Sequence, residues 1–322
     1  MRFGVLSTAN IGQAVLIPAI REAGHEVTAI ASRDAARAEQ VASELDIARA
    51  YGGYEALLAD EQIEAVYNPL PNSLHARWTK AAADAGLDVL CEKPLASDAA
   101  EARDVVEHCE GAGITLMEAF MWRYHPRTAR AVDLASAVGK PRRFEAAFHF
   151  PMRSRDNIRL SPDLAGGALM DVGCYAVNAA RLFLGEPDRI VARTVDGFDC
   201  GVDTTVTAHL EYDDGATAHV AGSFETDWVQ RYRLDGTDGY IEATDAFNPQ
   251  SDPVTLEYAM GERRGTEEWH GINQYAREVS AFVAAVEEDA SLRTGPEEAI
   301  RNMELLDAIA ESAARGAPVS IE

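Results

Sequence analysis

Hydrophobic and polar positions follow two alternating periods along the first third of the chain. Short apolar runs typical of strands are followed by longer stretches whose apolar positions recur every three to four residues, as in helices. The predicted strands cover residues 2–8, 26–31, 64–68, 87–91 and 114–118, and the predicted helices cover residues 11–23, 34–45, 74–85 and 98–112. Because the connections are too short for anything except βαβ crossovers, this region is predicted to form a doubly wound parallel sheet.

The pattern changes beyond about residue 123. A helical stretch over residues 168–184 precedes strand-like alternation in residues 190–198, 203–212, 216–225, 230–235 and 239–243. Turn sequences such as Asp213-Asp214-Gly215 indicate hairpins, and two helical patterns, residues 272–289 and 296–315, close the chain. We therefore predict an α/β protein with a Rossmann domain over residues 1–122. Residues 123–322 are predicted to form an α+β domain on a mostly antiparallel open sheet, with terminal helices that pack back on the first domain.

Composition narrows the class of protein. The 322 residues include 53 Asp and Glu against 29 Lys and Arg, a net charge of −24 that disfavours nucleic acid and anionic membranes as partners. No run of about 18 clean apolar residues exists, so we expect a soluble, cytoplasmic protein. Lysine occurs only three times, at Lys80, Lys93 and Lys140, and an acidic, lysine-poor surface suits a halophile, because molar salt screens the repulsion between carboxylates. The cysteine and histidine spacing indicates no metal site and no disulfide framework.

The first predicted strand ends in a degenerate dinucleotide fingerprint. The motif Gly-x-Gly-x-x-Gly is replaced by Ser7-Thr8-Ala9-Asn10-Ile11-Gly12, in which only the last glycine is kept. Small residues at positions 7, 9 and 12 still permit a tight turn that brings a pyrophosphate close to a helix N-terminus. A plain strand-to-helix turn is the alternative interpretation.

The end of the second strand bears on cofactor choice. An NAD site usually has an acidic residue here for the ribose 2′-hydroxyl, whereas this chain has Ser32 and Arg33. Both side chains suit the 2′-phosphate of NADP, and Arg37, one helical turn on, is a second candidate. Either arginine is alternatively an ordinary surface residue, and NAD is the alternative cofactor.

Three further residues have the chemistry of a hydride-transfer site. Lys93 follows the predicted strand over residues 87–91, in Cys91-Glu92-Lys93-Pro94, where its charge is suited to stabilising an oxyanion beside a nicotinamide. Asp171 and Tyr175 are spaced four apart on the helix after Gly166-Gly167, and a phenol becomes a usable base beside a cation. A solvated loop lysine, a capping carboxylate and a packed aromatic are the structural alternatives.

Three polar residues lie in the loop just before this helix. Asp156, Asn157 and Arg159 offer hydrogen-bonding groups and are candidate substrate contacts. They are equally well interpreted as ordinary polar loop residues.

Together these segments resemble the glucose-fructose oxidoreductase / inositol dehydrogenase (Gfo/Idh/MocA) family over nearly the whole chain. The nearest likeness is to the branch of NADP-dependent D-xylose 1-dehydrogenases and dimeric trans-1,2-dihydrodiol dehydrogenases. The motifs that carry the resemblance are Asn68-Pro69-Leu70-Pro71-Asn72-Ser73-Leu74-His75, Cys91-Glu92-Lys93-Pro94, Glu118-Ala119-Phe120-Met121-Trp122-Arg123 and the helix from Gly166 to Tyr175.

The resemblance implies a role for each motif. Lys93 would be the catalytic lysine, Asp171 the supporting carboxylate and Tyr175 the acid/base, a position at which many family members have histidine. The residues implied to line the cofactor path, and partly the substrate, are Leu70, Pro71, Asn72, His75, Glu92, Trp122 and Arg123.

The implied reaction is oxidation of an aldose such as D-xylose at its anomeric carbon to a lactone, with NADP as hydride acceptor. The alternatives are a dihydrodiol dehydrogenase, a reductase of dicarbonyls or anhydrosugars, and an NADP-sensing regulator without turnover. The family likeness also implies a homodimer or larger homo-oligomer formed through the open face of the C-terminal sheet.

Overall fold

The computed structural model describes residues 1–321 as two compact units. The first unit comprises Met1–Tyr124 and Asn273–Arg301. The second comprises His125–Ile272 and the chain from Asn302 onward. Each unit contains one sheet with its own hydrophobic core.

The first unit begins with strands and helices in alternation. In chain order these are β1 (Arg2–Val5), a first π segment (Gly12–Leu16), α1 (Ile17–Glu22), β2 (Glu26–Ala31), α2 (Ala35–Glu44), β3 (Arg49–Tyr51), α3 (Tyr54–Leu58), β4 (Ala65–Asn68), α4 (Asn72–Asp84), β5 (Asp88–Glu92), α5 (Ala99–Ala112), β6 (Leu116–Ala119) and a 3₁₀ turn (Met121–Tyr124). In the described chain the strands form one parallel sheet in the order β3-β2-β1-β4-β5-β6. This order confirms the predicted doubly wound sheet, in which ligands bind beyond the carboxyl ends of the strands.

The second unit is built around a mainly antiparallel sheet. Its elements, with those that complete the chain, are α6 (Pro126–Ala135), β7 (Pro141–His149), a second π segment (Leu169–Gly173) that continues as α7 (Cys174–Leu184), β8 (Arg189–Val195), β9 (Thr205–Glu211), β10 (Thr217–Ser223), β11 (Val229–Gly236), β12 (Gly239–Thr244), β13 (Val254–Met260), β14 (Arg263–Trp269), α8 (Gln274–Glu288), α9 (Pro296–Arg315) and β15 (Val319–Ser320). Within residues 1–321 the strand order is β14-β13-β12-β11-β7-β10-β9-β8-β15, and only the pair β7 and β10 is parallel.

The predicted elements of the second half match the structure unevenly. The five predicted strands correspond to β8 to β12, and the two C-terminal helices correspond to α8 and α9. β7, at the centre of the sheet, was not predicted, and neither were β13 and β14. The helical stretch predicted over residues 168–184 is confirmed, and within it Leu169–Gly173 is π-helical before the α-helix Cys174–Leu184 begins.

Local chemistry explains where several helices start and stop. Asp34 Oδ1 accepts a hydrogen bond from Arg37 N at 3.2 Å at the start of α2, and Asp98 caps α5 in the same way. α5 ends at Gly113, whose φ of 71° is left-handed. Of the helices that the structure describes between residues 1 and 321, none is both long and apolar enough to cross a membrane.

Candidate functional site

The turn after β1 carries the residues predicted to contact a pyrophosphate. Residues 7–11 are partly or fully exposed, whereas Gly12, the first residue of the first π segment, is buried. The Ser7 hydroxyl accepts a hydrogen bond from Ala9 N at 2.9 Å, which closes the turn. Exposed N–H groups at a helix start favour anions, so this turn has the form that a phosphate contact requires without the full glycine pattern.

Arg33 lies exposed two residues after the end of β2, beside the hydroxyl of Tyr54. Burial raises the pKa of Tyr54, and the charge of Arg33 together with a hydrogen bond between the two side chains opposes that shift. The Tyr54 ring is itself fixed edge-on against Trp78, with 4.8 Å between ring centroids. The neighbouring Ser32 is partly exposed, so a hydroxyl and a guanidinium meet at the position where an NAD site has a carboxylate.

Arg37, the second candidate for the 2′-phosphate, lies in the first turn of α2. Its guanidinium donates a hydrogen bond to Gln40 Oε1 at 3.1 Å, along the same helix. Both arginines thus have a side-chain partner within the first unit, and which of them contacts a ligand stays a prediction.

Lys93 lies directly after β5, at the carboxyl edge of the parallel sheet, and is partly exposed. Side chains of the two neighbouring strands bond to the residues on either side of it, at the Glu92 side chain and at the Leu95 backbone. Tyr67 Oη donates to Glu92 Oε1 at 2.7 Å, and Leu95 N donates to Glu118 Oε1 at 2.8 Å. Burial, followed by the charge of Glu92, raises the pKa of Tyr67 well above its usual value, so the phenol stays a donor. Sequence reasoning missed Tyr67 as an anchor because its hydroxyl has no partner nearby in sequence.

His75 links the loop after β4 to the loop after β5. The ring is fully buried, with Nδ1 2.8 Å from Pro94 O and Nε2 2.6 Å from Leu70 O. Burial lowers the pKa of His75 to about 4, the charge of Lys93 acts in the same direction, and the two carbonyl contacts oppose it. A neutral ring has one N–H, so it donates a hydrogen bond to one of these two carbonyl oxygens and only contacts the other. The structure therefore places His75 between two loops, with both ring nitrogens occupied by backbone carbonyls.

The other residues predicted near the cofactor differ in exposure. Pro71 and Asn72, at the start of α4, are partly exposed, whereas Trp122 is fully buried in the 3₁₀ turn. The Arg123 guanidinium donates to Glu298 Oε1 at 3.1 Å. That these residues contact a ligand stays a prediction.

In the second unit, Asp171 and Tyr175 lie on one helix that changes from π to α between them. π turns inside helices often occur at functional sites. Arg159 Nε donates to Asp171 Oδ2 at 2.7 Å, and the Asp171 side chain is 13% exposed. The Tyr175 ring is buried between Phe148 and Phe247, with ring centroids 5.3 and 5.6 Å away. The ion pair thus fixes the Asp171 side chain, and packing against the two phenylalanines fixes the Tyr175 ring.

The three candidate substrate contacts in the loop before this helix have different surroundings. Arg159 is joined to Asp171, and Asn157 Oδ1 accepts a hydrogen bond from Arg159 N at 3.0 Å, which caps a short 3₁₀ turn. Asp156 is exposed. The structure brings Arg159 to the predicted catalytic carboxylate and uses Asn157 for local structure.

Each unit thus assembles part of the predicted chemistry. The first holds the β1 turn, Arg33 and the anchored Lys93, and the second holds the Asp171 and Tyr175 helix. A fixed cation and a phenol are the groups that proton transfer and oxyanion stabilisation require. Among residues 1–321, no three His, Cys, Asp or Glu side chains are grouped to hold a metal ion.

Comparison with known proteins agrees with this division. Residues 1–120 match a family model described as an oxidoreductase family with an NAD-binding Rossmann fold, and residues 127–242 match the GFO/IDH/MocA C-terminal domain. The chain is 54% identical to D-xylose 1-dehydrogenase (NADP(+)) 2 of Haloferax volcanii, covering 100% of both proteins. It is 31% identical to trans-1,2-dihydrobenzene-1,2-diol dehydrogenase of Xenopus laevis, over 75% of this chain and 74% of that protein.

A solved structure extends the likeness to the fold. A 3-ketoreductase from Actinomadura kijaniata, crystallised with NADP and TDP-benzene, superposes with a TM-score of 0.90 at 33% identity, covering 97% of each chain. Since both domain models match in order and the Haloferax relative is similar along its whole length, the chain belongs to the Gfo/Idh/MocA family of oxidoreductases.

Proposed function

We propose that this protein is an NADP-dependent sugar dehydrogenase that oxidises the anomeric carbon of D-xylose, or of a closely related aldose, to a lactone. The observation that carries the proposal is the 54% identity to a D-xylose 1-dehydrogenase over 100% of both chains. The Actinomadura structure with NADP, at 33% identity, supports the choice of cofactor.

The donor groups of the first unit fit NADP. The exposed Arg33 guanidinium and the Ser32 hydroxyl would hold the 2′-phosphate, and the turn over residues 7–12 would hold the pyrophosphate. When bound, NADP supplies the ring that accepts the hydride. Tyr54 orients Arg33 from the side, which favours a fixed phosphate contact over a mobile surface arginine.

Residues of the chain itself accept the proton that the substrate hydroxyl loses. Tyr175 takes the proton from the hydroxyl on the carbon that loses the hydride, and the charge of Lys93 stabilises the oxygen as negative charge develops on it. Arg159 holds the Asp171 carboxylate at 2.7 Å, four residues before Tyr175 on the same helix. These roles make Tyr175→Phe and Lys93→Met the variants that separate chemistry from binding.

The test is a turnover assay in molar potassium chloride, with NADP and a panel of aldoses, polyols and trans-dihydrodiols. Formation of reduced nicotinamide is followed by its near-ultraviolet absorbance. We expect the strongest signal with a pentose, and a loss of orders of magnitude in Tyr175→Phe and Lys93→Met with NADP affinity retained. A strong signal with the dihydrodiols alone would favour the second activity, which the 31% identity to the Xenopus dehydrogenase supports. NADP binding without turnover on any compound would favour a regulator.

We also propose a homodimer or larger homo-oligomer formed through the outer face of the nine-stranded sheet, in a cytoplasmic enzyme. In a chain of net charge −24 this face is balanced, because four arginines pair there with four carboxylates: Arg143, Arg189, Arg231 and Arg233 with Glu145, Glu211, Asp235 and Glu242. The face also carries Val191, 40% exposed, beside a groove of about 800 Å³. Two copies of an acidic chain repel each other least where the contacting faces carry equal positive and negative charge.

Light scattering in molar salt tests this interface with a matched pair of variants. Val191→Glu should shift the protein toward monomer, whereas Val132→Glu, at a valine of similar exposure on α6, 42%, should leave the mass unchanged. Unchanged mass in Val191→Glu would count against the sheet face.

A further inference from the structure

The helix that carries Asp171 and Tyr175 is held at its first turn by a residue from another part of the second unit. Asp203 lies in the loop between β8 and β9 and is partly buried. Its Oδ2 accepts a hydrogen bond from Leu169 N at 2.7 Å, and its backbone oxygen accepts one from Ala168 N at 2.8 Å. These two N–H groups belong to the unpaired start of the helix, where a carboxylate also complements the helix dipole.

Gly167 makes room for this contact. Its φ is +117°, and a Cβ built on it would lie 2.3 Å from Asp203 Oδ1. A side chain at this position would therefore displace the carboxylate from Leu169 N. Burial raises the pKa of Asp203, and the hydrogen bonds from the helix start oppose that rise.

The other end of the second π segment is fixed against the sheet. A Cβ on Gly222 of β10 would lie 2.9 Å from Gly173 N and 3.1 Å from Ala168 O, so helix and strand backbones are in direct contact there. The segment is therefore held at Leu169 by Asp203 and at Gly173 by β10. Asp171 lies between these two points, and Tyr175 follows two residues after the second.

We propose that Asp203 is a positioning residue for Asp171 and Tyr175: it sets the height and rotation of their helix without touching the substrate. The proposal rests on the proposed function, in which these two side chains serve proton transfer. A displacement of about 1 Å at a reacting group can cost about 100-fold in rate, so loss of this anchor is expected to appear in kcat.

Three substitutions at position 203 weaken the hydrogen bond to Leu169 N by different amounts. Asp203→Asn keeps an acceptor oxygen at the same reach, Asp203→Ser shortens the reach, and Asp203→Ala removes the acceptor. We expect kcat close to wild type for the Asn variant and lower by about 10- to 100-fold for the Ser and Ala variants, with the KM for NADP unchanged. Asp199→Asn, at an exposed position of the same loop, is the control and should keep full activity.

The pH profile of kcat distinguishes positioning from a loss of folded protein. A shifted helix moves the proton-accepting group relative to the substrate hydroxyl, so the acidic limb of the profile should shift in the Ser variant. Equal kcat and equal profiles in the Asn and Ser variants would overturn the proposal, even if the Ala variant fails to fold. Wild-type turnover that is lost in Tyr175→Phe but retained in Asp203→Ser overturns the positioning role alone, whereas absence of wild-type turnover overturns the proposed function and the positioning role together.

Discussion

Lys93 is held in place by side chains that come from three other segments of the chain. Tyr67 of β4 fixes Glu92, His75 of α4 contacts Pro94 O, and Glu118 of β6 accepts from Leu95 N. The lysine itself was predictable, because it follows a strand end in a chain with three lysines. Its anchors were not, since each bond joins residues at least 19 positions apart and depends on the order of strands in the sheet.

Arg33 should decide the choice between NADP and NAD. Arg33→Asp removes a charge-assisted contact to the 2′-phosphate and places a carboxylate near it, so the ratio of kcat/KM for NADP over NAD should fall by about 10- to 100-fold. Steady-state kinetics with each cofactor measures the ratio. Arg263→Asp, on an exposed strand of the second unit, is the matched control. An unchanged ratio in Arg33→Asp would mean that the phosphate is held elsewhere, and Arg37→Ala then tests the second candidate.

His75 should make stability fall as the pH is lowered. Its pKa is about 4 in the folded protein against an ordinary value of 6.5, so the unfolded chain takes up the proton first. The free energy of unfolding therefore decreases between these two pH values, by up to about 3 kcal/mol, and the full contribution is present above the upper one. His75→Asn cannot take up this proton and should lose that part of the pH dependence.

Urea denaturation midpoints at about pH 7 and about pH 4.5 measure the effect. His270→Asn, at a side chain that is 67% exposed, is the control and should keep the wild-type dependence on pH. A wild-type dependence in His75→Asn as well would assign the acid sensitivity to other groups.

The elements of the two units differ in how far the sequence predicts them. In the first unit the alternation of strand and helix periods suffices, because parallel strands buried on both faces are apolar throughout. In the second unit β7 was missed although Phe144, Ala146 and Phe148 face the core, since two arginines and a glutamate interrupt the run. The second π segment has no period of its own in the sequence. Contact between Gly173 and Gly222 becomes visible only when β10 is in place.

Gly222→Ala should destabilise the second unit and reduce turnover together. The added Cβ would lie 2.9 Å from a backbone nitrogen, and backbone on both sides has to move, at a cost of about 1–3 kcal/mol. Thermal unfolding and kcat measure the two effects. Gly111→Ala on α5, where a Cβ meets nothing within 4 Å, should be neutral or slightly stabilising. A fully active Gly222→Ala enzyme would show that the close approach of helix and strand is dispensable.

The net negative charge of the chain affects the stability of the whole folded protein. A net charge of −24 opposes compaction at low ionic strength, whereas at molar salt the screening length is about 3 Å. The 54% identity to a Haloferax enzyme fits this composition. We predict that the melting temperature and kcat rise with potassium chloride from dilute buffer to molar concentration. A melting temperature that is independent of salt would contradict adaptation to high salt.

The central claim is that hydride passes from the anomeric carbon of an aldose to NADP with Tyr175 as the proton acceptor. The direct measurement uses D-xylose carrying deuterium at C1, with mass analysis of the reduced cofactor. We expect one deuterium in the NADPH formed by the wild-type enzyme, a lactone as the other product, and almost no labelled NADPH from Tyr175→Phe. Unlabelled NADPH, or labelled NADPH formed at the wild-type rate by Tyr175→Phe, would contradict it.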